Sequence, residues 1–336
     1  MWLRERLHGD DARTRDLHGL YIPELSPKAE RGPALPPKER LLRQVTREQA
    51  DNLRLLDSRP GKLPADPLLV DDYLQRFLIQ HHGQHIETMH MVLCHRRQQR
   101  HTTGGFRSRR RLRPAEPRLE GETLPFRHHR VGGSLPIAFD NELPMQTVAL
   151  GDCRIARRPV SNAEYLGFME DGGYREPRYW SDAGWAWCQA QGVMHPEHWR
   201  RDQQGWWYGI SGSGPHELAA DAPVYGISHY EAEACARWAG GRLPHEWEWE
   251  VACRLGLIAS VGQAWEWCAN PFFPYPGFTA FPYAEYSAPW FDGQHYSLRG
   301  ASSATLADVR RPSFRNFHTA DKRHVFAGLR LTIDEG

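Results

Sequence analysis

No apolar run in this chain of 336 residues approaches the roughly 20 residues that a membrane span requires. The first residues, Met1-Trp2-Leu3-Arg4-Glu5-Arg6-Leu7, carry too much charge for the apolar core of a secretory leader. Neither sign of charge is in real excess. Lys plus Arg is 42 and Asp plus Glu is 41, so bulk electrostatics draw the chain neither to nucleic acid nor to a membrane surface. Cysteine is sparse and scattered: Cys94, Cys153, Cys188, Cys235, Cys253 and Cys268 form no CxxC pair. That usage suits a reduced, cytoplasmic setting better than a disulfide framework.

What the chain does have is aromatic and turn residues: 13 Trp, 12 Tyr and 13 Phe, with 25 Pro and 30 Gly. Most fall after about residue 135, where a compact, loop-rich domain is expected. The length is enough for two domains, each with its own core. The division expected is a helical part over 1–95, a basic linker over 96–134 and the loop-rich domain over 135–336. The linker reading rests on Arg96, Arg97, Arg100, Arg107, Arg109, Arg110, Arg111, Arg113 and Arg118 among very few apolar residues. Aromatic interleaving there is thin for a nucleic-acid surface.

Residues 1–7 read as the tail of a helix, and the polar, Pro-rich stretch Asp10–Pro37 as a long connection. A helix is predicted from Pro37 through Leu41, Leu42, Val45 and Leu53 to Leu56, stopped by Arg59-Pro60-Gly61. In the loop-rich part, residues 148–150 and 153–156 read as short strands. Ser161-Asn162-Ala163-Glu164 and Ser228-His229-Tyr230-Glu231 are capping boxes that open short helices. Pro244 is expected at the start of a third.

The stretch with most chemistry is His81-His82-Gly83-Gln84-His85-Ile86-Glu87. It lies in a Pro-free segment, Asp71 to Arg96, where Leu74, Phe77, Leu78, His81, His85, Met89 and Val92 recur at helical spacing. Their shared face is predicted to point inward. Side chains four apart stack on one face, so His81 and His85 can share one metal ion. Glu87 lies about 200° around the helix from His85 and is expected to serve as a supporting or capping partner instead. A third ligand would have to come from another helix.

The ordered motifs Arg242-Leu243-Pro244-His245-Glu246-Trp247-Glu248-Trp249-Glu250, Trp265-Glu266-Trp267, Leu298-Arg299-Gly300-Ala301-Ser302 and Phe326-Ala327-Gly328-Leu329-Arg330 resemble the formylglycine-generating-enzyme/sulfatase-modifying-factor domain, a C-type-lectin variant. Residues 160–165 and 180–185 extend the match. Joined to an upstream HxxxHxE helix, the pattern is similar to the ergothioneine-type sulfoxide synthases (EgtB-like), whose helical bundle is DinB-like. The fold expected is therefore α+β: an N-terminal DinB-like helical bundle with its first helix truncated, then a C-terminal C-type-lectin-like domain. Residues 267–271, 283–287, 289–293 and 299–302 look nearest to the selenoneine synthase (SenA) branch.

The resemblance implies a non-haem iron(II), O2-dependent enzyme attaching a selenium or sulfur donor to the imidazole C2 of hercynine. His81 and His85 match two Fe(II) ligands, and imidazoles with open coordination positions suit that ion. Gln84 matches a substrate-holding amide. Tyr283 matches the tyrosine that supplies a proton or hydrogen atom. Asn316 and Phe317 match the wall facing the substrate's carboxylate and trimethylammonium end. Arg242, Glu246, Trp265, Glu266 and Arg299 are expected to be buried structural pairs and packing residues. The partners implied are small molecules (hercynine, the donor and O2), with no nucleic acid and no membrane.

Departures from the pattern shape the expectation. The third histidine would stand upstream of Met1, so the chain is expected to begin at an internal methionine or to be a fragment; His8 and His18 are poor substitutes. Ile22-Pro23-Glu24-Leu25-Ser26-Pro27-Lys28 lacks the arginine pair of members that take γ-glutamylcysteine, while His318 and Lys322 replace their aspartate and arginine. The donor expected is a selenosugar, giving selenoneine. Hercynylcysteine sulfoxide synthesis from cysteine or γ-glutamylcysteine stays open, as does a non-catalytic lectin-like protein with a decayed metal site. Formylglycine generation is disfavoured, because no cysteine follows Cys268.

Overall fold

The computed structural model describes residues 28–57, 66–101 and 105–335. Contacts divide the chain into one unit ending at Leu78 and another running from Ile79 to Gly336. The first is helical, with α1 (Lys28–Ala34) and α2 (Lys38–Asp57). A 3-10 turn over Pro67–Asp72 then leads into α3 (Tyr73–Arg100), whose first turns belong to this unit. The Asp66 carboxylate caps the turn, accepting from the Leu68 N–H at 2.9 Å, and Leu68, Leu69, Tyr73, Leu74 and Phe77 are buried.

The predicted helix from Pro37 to Leu56 is α2. α1 falls inside the stretch read as a connection: a seven-residue helix with Pro33 in it has no apolar period to announce it. Residues 1–7, His8, His18, Ile22 to Pro27 and Arg59-Pro60-Gly61 lie outside the described residues.

The second unit is built from short strands and helices in a loop-rich frame. In chain order these are β1 (Gly121–Leu124), β2 (Arg127–Val131), β3 (Gln146–Leu150), β4 (Cys153–Ala156), α4 (Asn162–Glu170) and α5 (Asp182–Gln191). β5 (Trp199–Arg201), β6 (Trp207–Ser211), β7 (Gly214–His216), α6 (His229–Trp238) and α7 (Glu246–Arg254) follow. The last are β8 (Trp265–Pro271), β9 (His295–Gly300), β10 (Asn316–Thr319), β11 (Ala327–Gly328) and β12 (Thr332–Asp334). They pair as sheets β1-β4-β12, β2-β3, β5-β6-β7 and β10-β9-β8-β11. The chain is thus α+β, helical first and sheet-bearing after.

Two boundaries differ from those read in the sequence. The division falls inside α3, because the helix beyond Leu78 hydrogen-bonds to the second unit. β1 and β2 lie within the stretch read as linker. There the arginines face out while Leu124, His129 and Val131 face in, the alternation of a half-buried strand.

Ser161 and Ser228 cap α4 and α6 with reciprocal bonds from Glu164 and Glu231. At α7 the cap is His245, whose ring accepts from the Trp247 N–H at 3.2 Å. Pro244 therefore stands ahead of the cap instead of in the first turn.

The core carries charge as well as aromatic rings. The Glu246 carboxylate lies between Arg299 at 2.9 Å and Arg315 at 2.7 Å, with all three side chains fully buried. Glu266 takes Arg330 at 2.7 Å and the Trp249 indole N–H at 2.6 Å. Single ions at such depth would cost several kcal/mol each; full pairing offsets that penalty. Arg242 is the exception among the expected buried pairs: it is half-exposed, holding Glu248 and Asp334 at the rim. Gly300 adopts φ +91 where a Cβ would approach the Trp249 ring to 3.3 Å, which accounts for glycine after Arg299.

Candidate active site

Within the second unit, α3 turns Gln80, Gly83, Glu87, Met91, Cys94 and Gln98 inward. The face expected inside holds at Leu74 and Phe77, which are buried, and beyond Leu78 becomes the helix's flank: His81 is half-buried, His85 is exposed, and Met89 and Val92 are 56% and 53% exposed. The polar side chains that replace it are hydrogen-bonded across to the sheet domain, which makes them interior residues. Glu87 accepts from the Trp265 indole N–H at 2.8 Å, from the Thr305 hydroxyl at 2.8 Å and from the Ser302 hydroxyl. Gln80 Oε1 takes Arg311 at 2.6 Å, and its amide N–H donates to the Ile137 carbonyl at 3.2 Å. Gly83 lets the helix approach closely, since a Cβ there would lie 3.3 Å from Leu306 Cδ1. Glu87 thus serves the helix's attachment, away from the histidine pair.

His81 Nε2 and His85 Nε2 converge to 2.9 Å, with ring centroids 4.6 Å apart. Two imidazoles bound at right angles to one ion, with metal–nitrogen bonds of about 2.1 Å, would hold their nitrogens about 3.0 Å apart. The pair therefore fits two adjacent positions on a metal. The same separation is a hydrogen bond when one ring carries the proton. Burial, then the neighbouring His85 and His82, lowers the His81 pKa to about 4, so the ring is neutral with a lone pair to give. Among the described residues no group of three or more His, Cys, Asp or Glu side chains could hold a metal.

Gln84 faces Tyr286, which lies in the stretch 283–287. Its amide N–H donates to the Tyr286 hydroxyl at 2.9 Å, and the Tyr286 ring lies 6.2 Å from His81. Tyr283 is one ring further out, its centroid 6.1 Å from Tyr286. Its pKa is pushed up to about 12 by burial and then by Asp140 and Glu285. That of Tyr286 is raised well above the usual phenol value by burial. Phe139 stacks on Tyr286 at 4.6 Å and 11°.

Asn316 and Phe317 sit on β10, at the edge of the four-stranded sheet. Asn316 Oδ1 accepts from the Phe317 N–H at 2.9 Å. Phe317 stacks on Phe272 at 4.3 Å and lies 6.1 Å from Trp290 and 6.0 Å from His295. The loop over 283–290 joins the two groups, with Tyr286 against His81 and Trp290 against Phe317. Next to this wall His318 is neutral, its pKa lowered to about 3 by burial and then by His324 and His295. Lys322 is paired to Asp321 at 2.9 Å. The cysteines are inert by comparison. Five are buried, and burial raises the thiol pKa at every one of the six, whereas a reactive cysteine needs thiolate character.

The family model described as the Sulfatase-modifying factor enzyme 1-like domain matches residues 122–260 and 254–335. The hercynine oxygenase of Mycolicibacterium thermoresistibile is 34% identical, the match covering 81% of this chain and 71% of that protein. That of Mycolicibacterium smegmatis is 33% identical over 80% of this chain and 74% of its own length. The formylglycine-generating enzyme of Thermomonospora curvata is 33% identical but covers only 40% of this chain, so that likeness does not extend to the histidine helix and sheet domain together. With a sulfatase-modifying factor domain over most of its length and relatives that span both parts, the chain belongs to the hercynine oxygenase family.

Proposed function

We propose that the protein is an iron- and dioxygen-dependent oxidoreductase that attaches a selenium or sulfur donor to the imidazole C2 of hercynine. The donor we favour is a selenosugar, with selenoneine as the product. The observation that carries the reading is the convergence of His81 and His85 Nε2 at 2.9 Å in a chain whose relatives, named hercynine oxygenases, are matched over 71% and 74% of their length.

His81 and His85 would hold ferrous iron, and activation of dioxygen is the chemistry that ion supplies when bound. The remaining roles belong to the chain itself. Tyr283 keeps its proton at neutral pH and gives it, or a hydrogen atom, to the reacting centre. The Gln84 amide, now turned to the Tyr286 hydroxyl, is a hydrogen-bonding group for the substrate. Phe317, Phe272 and Trp290 present π surface, the kind that attracts a trimethylammonium head. A neutral His318 and an already paired Lys322 offer little charge to an ionic thiol, which favours a neutral donor over γ-glutamylcysteine.

The test is anaerobic loading of the full chain with Fe(II), then oxygen uptake and product mass with hercynine plus a selenosugar, cysteine or γ-glutamylcysteine. Hercynine-dependent uptake with a selenium-bearing product is expected. His85→Ala, an exposed position, is expected to fold but to lose retained iron by roughly tenfold or more. A sulfur-bearing product from cysteine or γ-glutamylcysteine would move the donor to sulfur. No hercynine-dependent uptake with any donor would overturn the proposal and leave a lectin-like binding protein.

A further inference from the structure

The 3-10 turn Asp140–Glu142 attracted no notice in the sequence, yet its three polar side chains are at most 1% exposed. Each has its own address. Asp140 Oδ1 accepts from the Ser287 hydroxyl at 2.5 Å and from the Asn141 N–H at 2.7 Å. Its Oδ2 accepts from the Phe281 N–H at 3.3 Å. Asn141 Nδ2 donates to Ser287 Oγ at 3.0 Å. Glu142 pairs with Arg311, which also reaches Gln80 Oε1 at 2.6 Å, one residue before His81.

One carboxylate therefore grips the chain on both sides of Tyr283 and Tyr286: at Phe281 before them and at Ser287 after them. Between those two ends run two short 3-10 turns, Ala284–Tyr286 and Ala288–Trp290, in which Tyr286 stacks on Phe139 and bonds to Gln84. The same turn reaches the histidine helix through Glu142, Arg311 and Gln80.

We infer that Asp140 is a positioning residue, clamping the tyrosine loop at its two ends so that the turn sets the loop's place relative to the histidine helix. The inference rests on the function proposed above only for its effect on turnover; the clamp itself is a statement about geometry. A phenol displaced by about 1 Å can lose up to about a hundredfold in rate, so a clamp made of buried hydrogen bonds has direct kinetic weight.

The test uses the full chain carrying 3-fluorotyrosine at position 283 or, as a reference, at the half-exposed Tyr179, observed by fluorine NMR. Asp140→Ala is expected to shift or broaden the 283 signal and leave the 179 signal alone. In turnover it is expected to lower kcat by roughly tenfold to a hundredfold, with KM for hercynine within about twofold. Asp140→Asn keeps an Oδ1 acceptor for Ser287 and Asn141 and is expected to restore part of both readouts. Should Asp140→Ala not fold, Ser287→Ala decides, with a smaller shift at 283 expected. An unchanged 283 signal in the variants overturns the clamp. If the parent protein shows no hercynine-dependent turnover, the functional reading falls, while the fluorine signals still decide the clamp.

Discussion

Tyr283 and Tyr286 lie three positions apart on one loop and both keep their protons at neutral pH, yet different neighbours hold them. The Tyr286 hydroxyl is spent on Gln84, whereas Tyr283 stands one ring outward beside Asp140 and Glu285. The proton-donor role proposed for Tyr283 rests on its match to the family's tyrosine, and the bond to Gln84 gives Tyr286 a positioning role. Tyr283→Phe is expected to retain iron and hercynine while turnover diverts to oxidation of the donor, seen as less coupled product per O2 consumed. Tyr286→Phe removes the hydroxyl's hydrogen bonding with Gln84, worth about 1 kcal/mol net, and is expected to raise KM for hercynine roughly fivefold at unchanged product ratio. If the product ratio moves only in Tyr286→Phe, the donor role passes to Tyr286. The sequence brought both tyrosines into view in one motif. It could not tell which phenol meets Gln84, because spacing within a loop fixes no direction.

At the scale of the element, α3 shows what periodicity can and cannot say. An uninterrupted helix through the histidines was legible, and it runs over Tyr73–Arg100. Its inward face was legible at Leu74 and Phe77 but not beyond them, because a hydrophobic count treats Gln80, Glu87 and Gln98 as solvent residues when hydrogen bonds make them interior ones. The opposition of Glu87 and His85 did follow from the helical angle. The capping boxes at Ser161 and Ser228 were legible for a related reason: each is complete within four residues and needs no distant partner. Glu87→Ala would strand an indole N–H and two hydroxyls, at about 1–3 kcal/mol for a buried donor that cannot rotate to water. A loss of about 3 kcal/mol is expected by urea unfolding, with Glu87→Gln costing roughly half because one acceptor oxygen remains. A loss under about 0.5 kcal/mol for Glu87→Ala, the level of a neutral surface change, would mean that the helix does not depend on this tie.

Over the whole molecule, the motif-bearing residues Glu246, Glu266 and Arg299 proved to be the charged centre of the core, as their pairing potential suggested. Two neutral histidines elsewhere in the interior were not readable, since nothing in a sequence says that an imidazole is dry. His198 is 2% exposed, with its Nδ1 2.7 Å from Gln98 Nε2, and burial lowers its pKa to about 3. His229 is 4% exposed, lies 3.8 Å from the Tyr296 ring, and is lowered to about 4 by burial. In the unfolded chain both rings take a proton near pH 6.5; in the folded chain neither does until pH falls to the lower values. Below about pH 6.5 the unfolded state binds more protons, so stability declines as pH drops, by up to about 1.4 kcal/mol per pH unit for each ring. Above pH 7 these two groups contribute no slope. Glu246, held at about 2 chiefly by Arg315 and Arg299 against the cost of burial, adds its own loss only below the ordinary carboxylate range. Urea midpoints at pH 7, 6, 5 and 4.5 are expected to fall steadily. Replacing His229 with Gln should flatten that fall by about one proton's worth, up to about 1.4 kcal/mol per pH unit. An unaltered slope in His229→Gln and in His198→Gln would show that both rings are already charged in the folded protein, and that the acid sensitivity resides elsewhere.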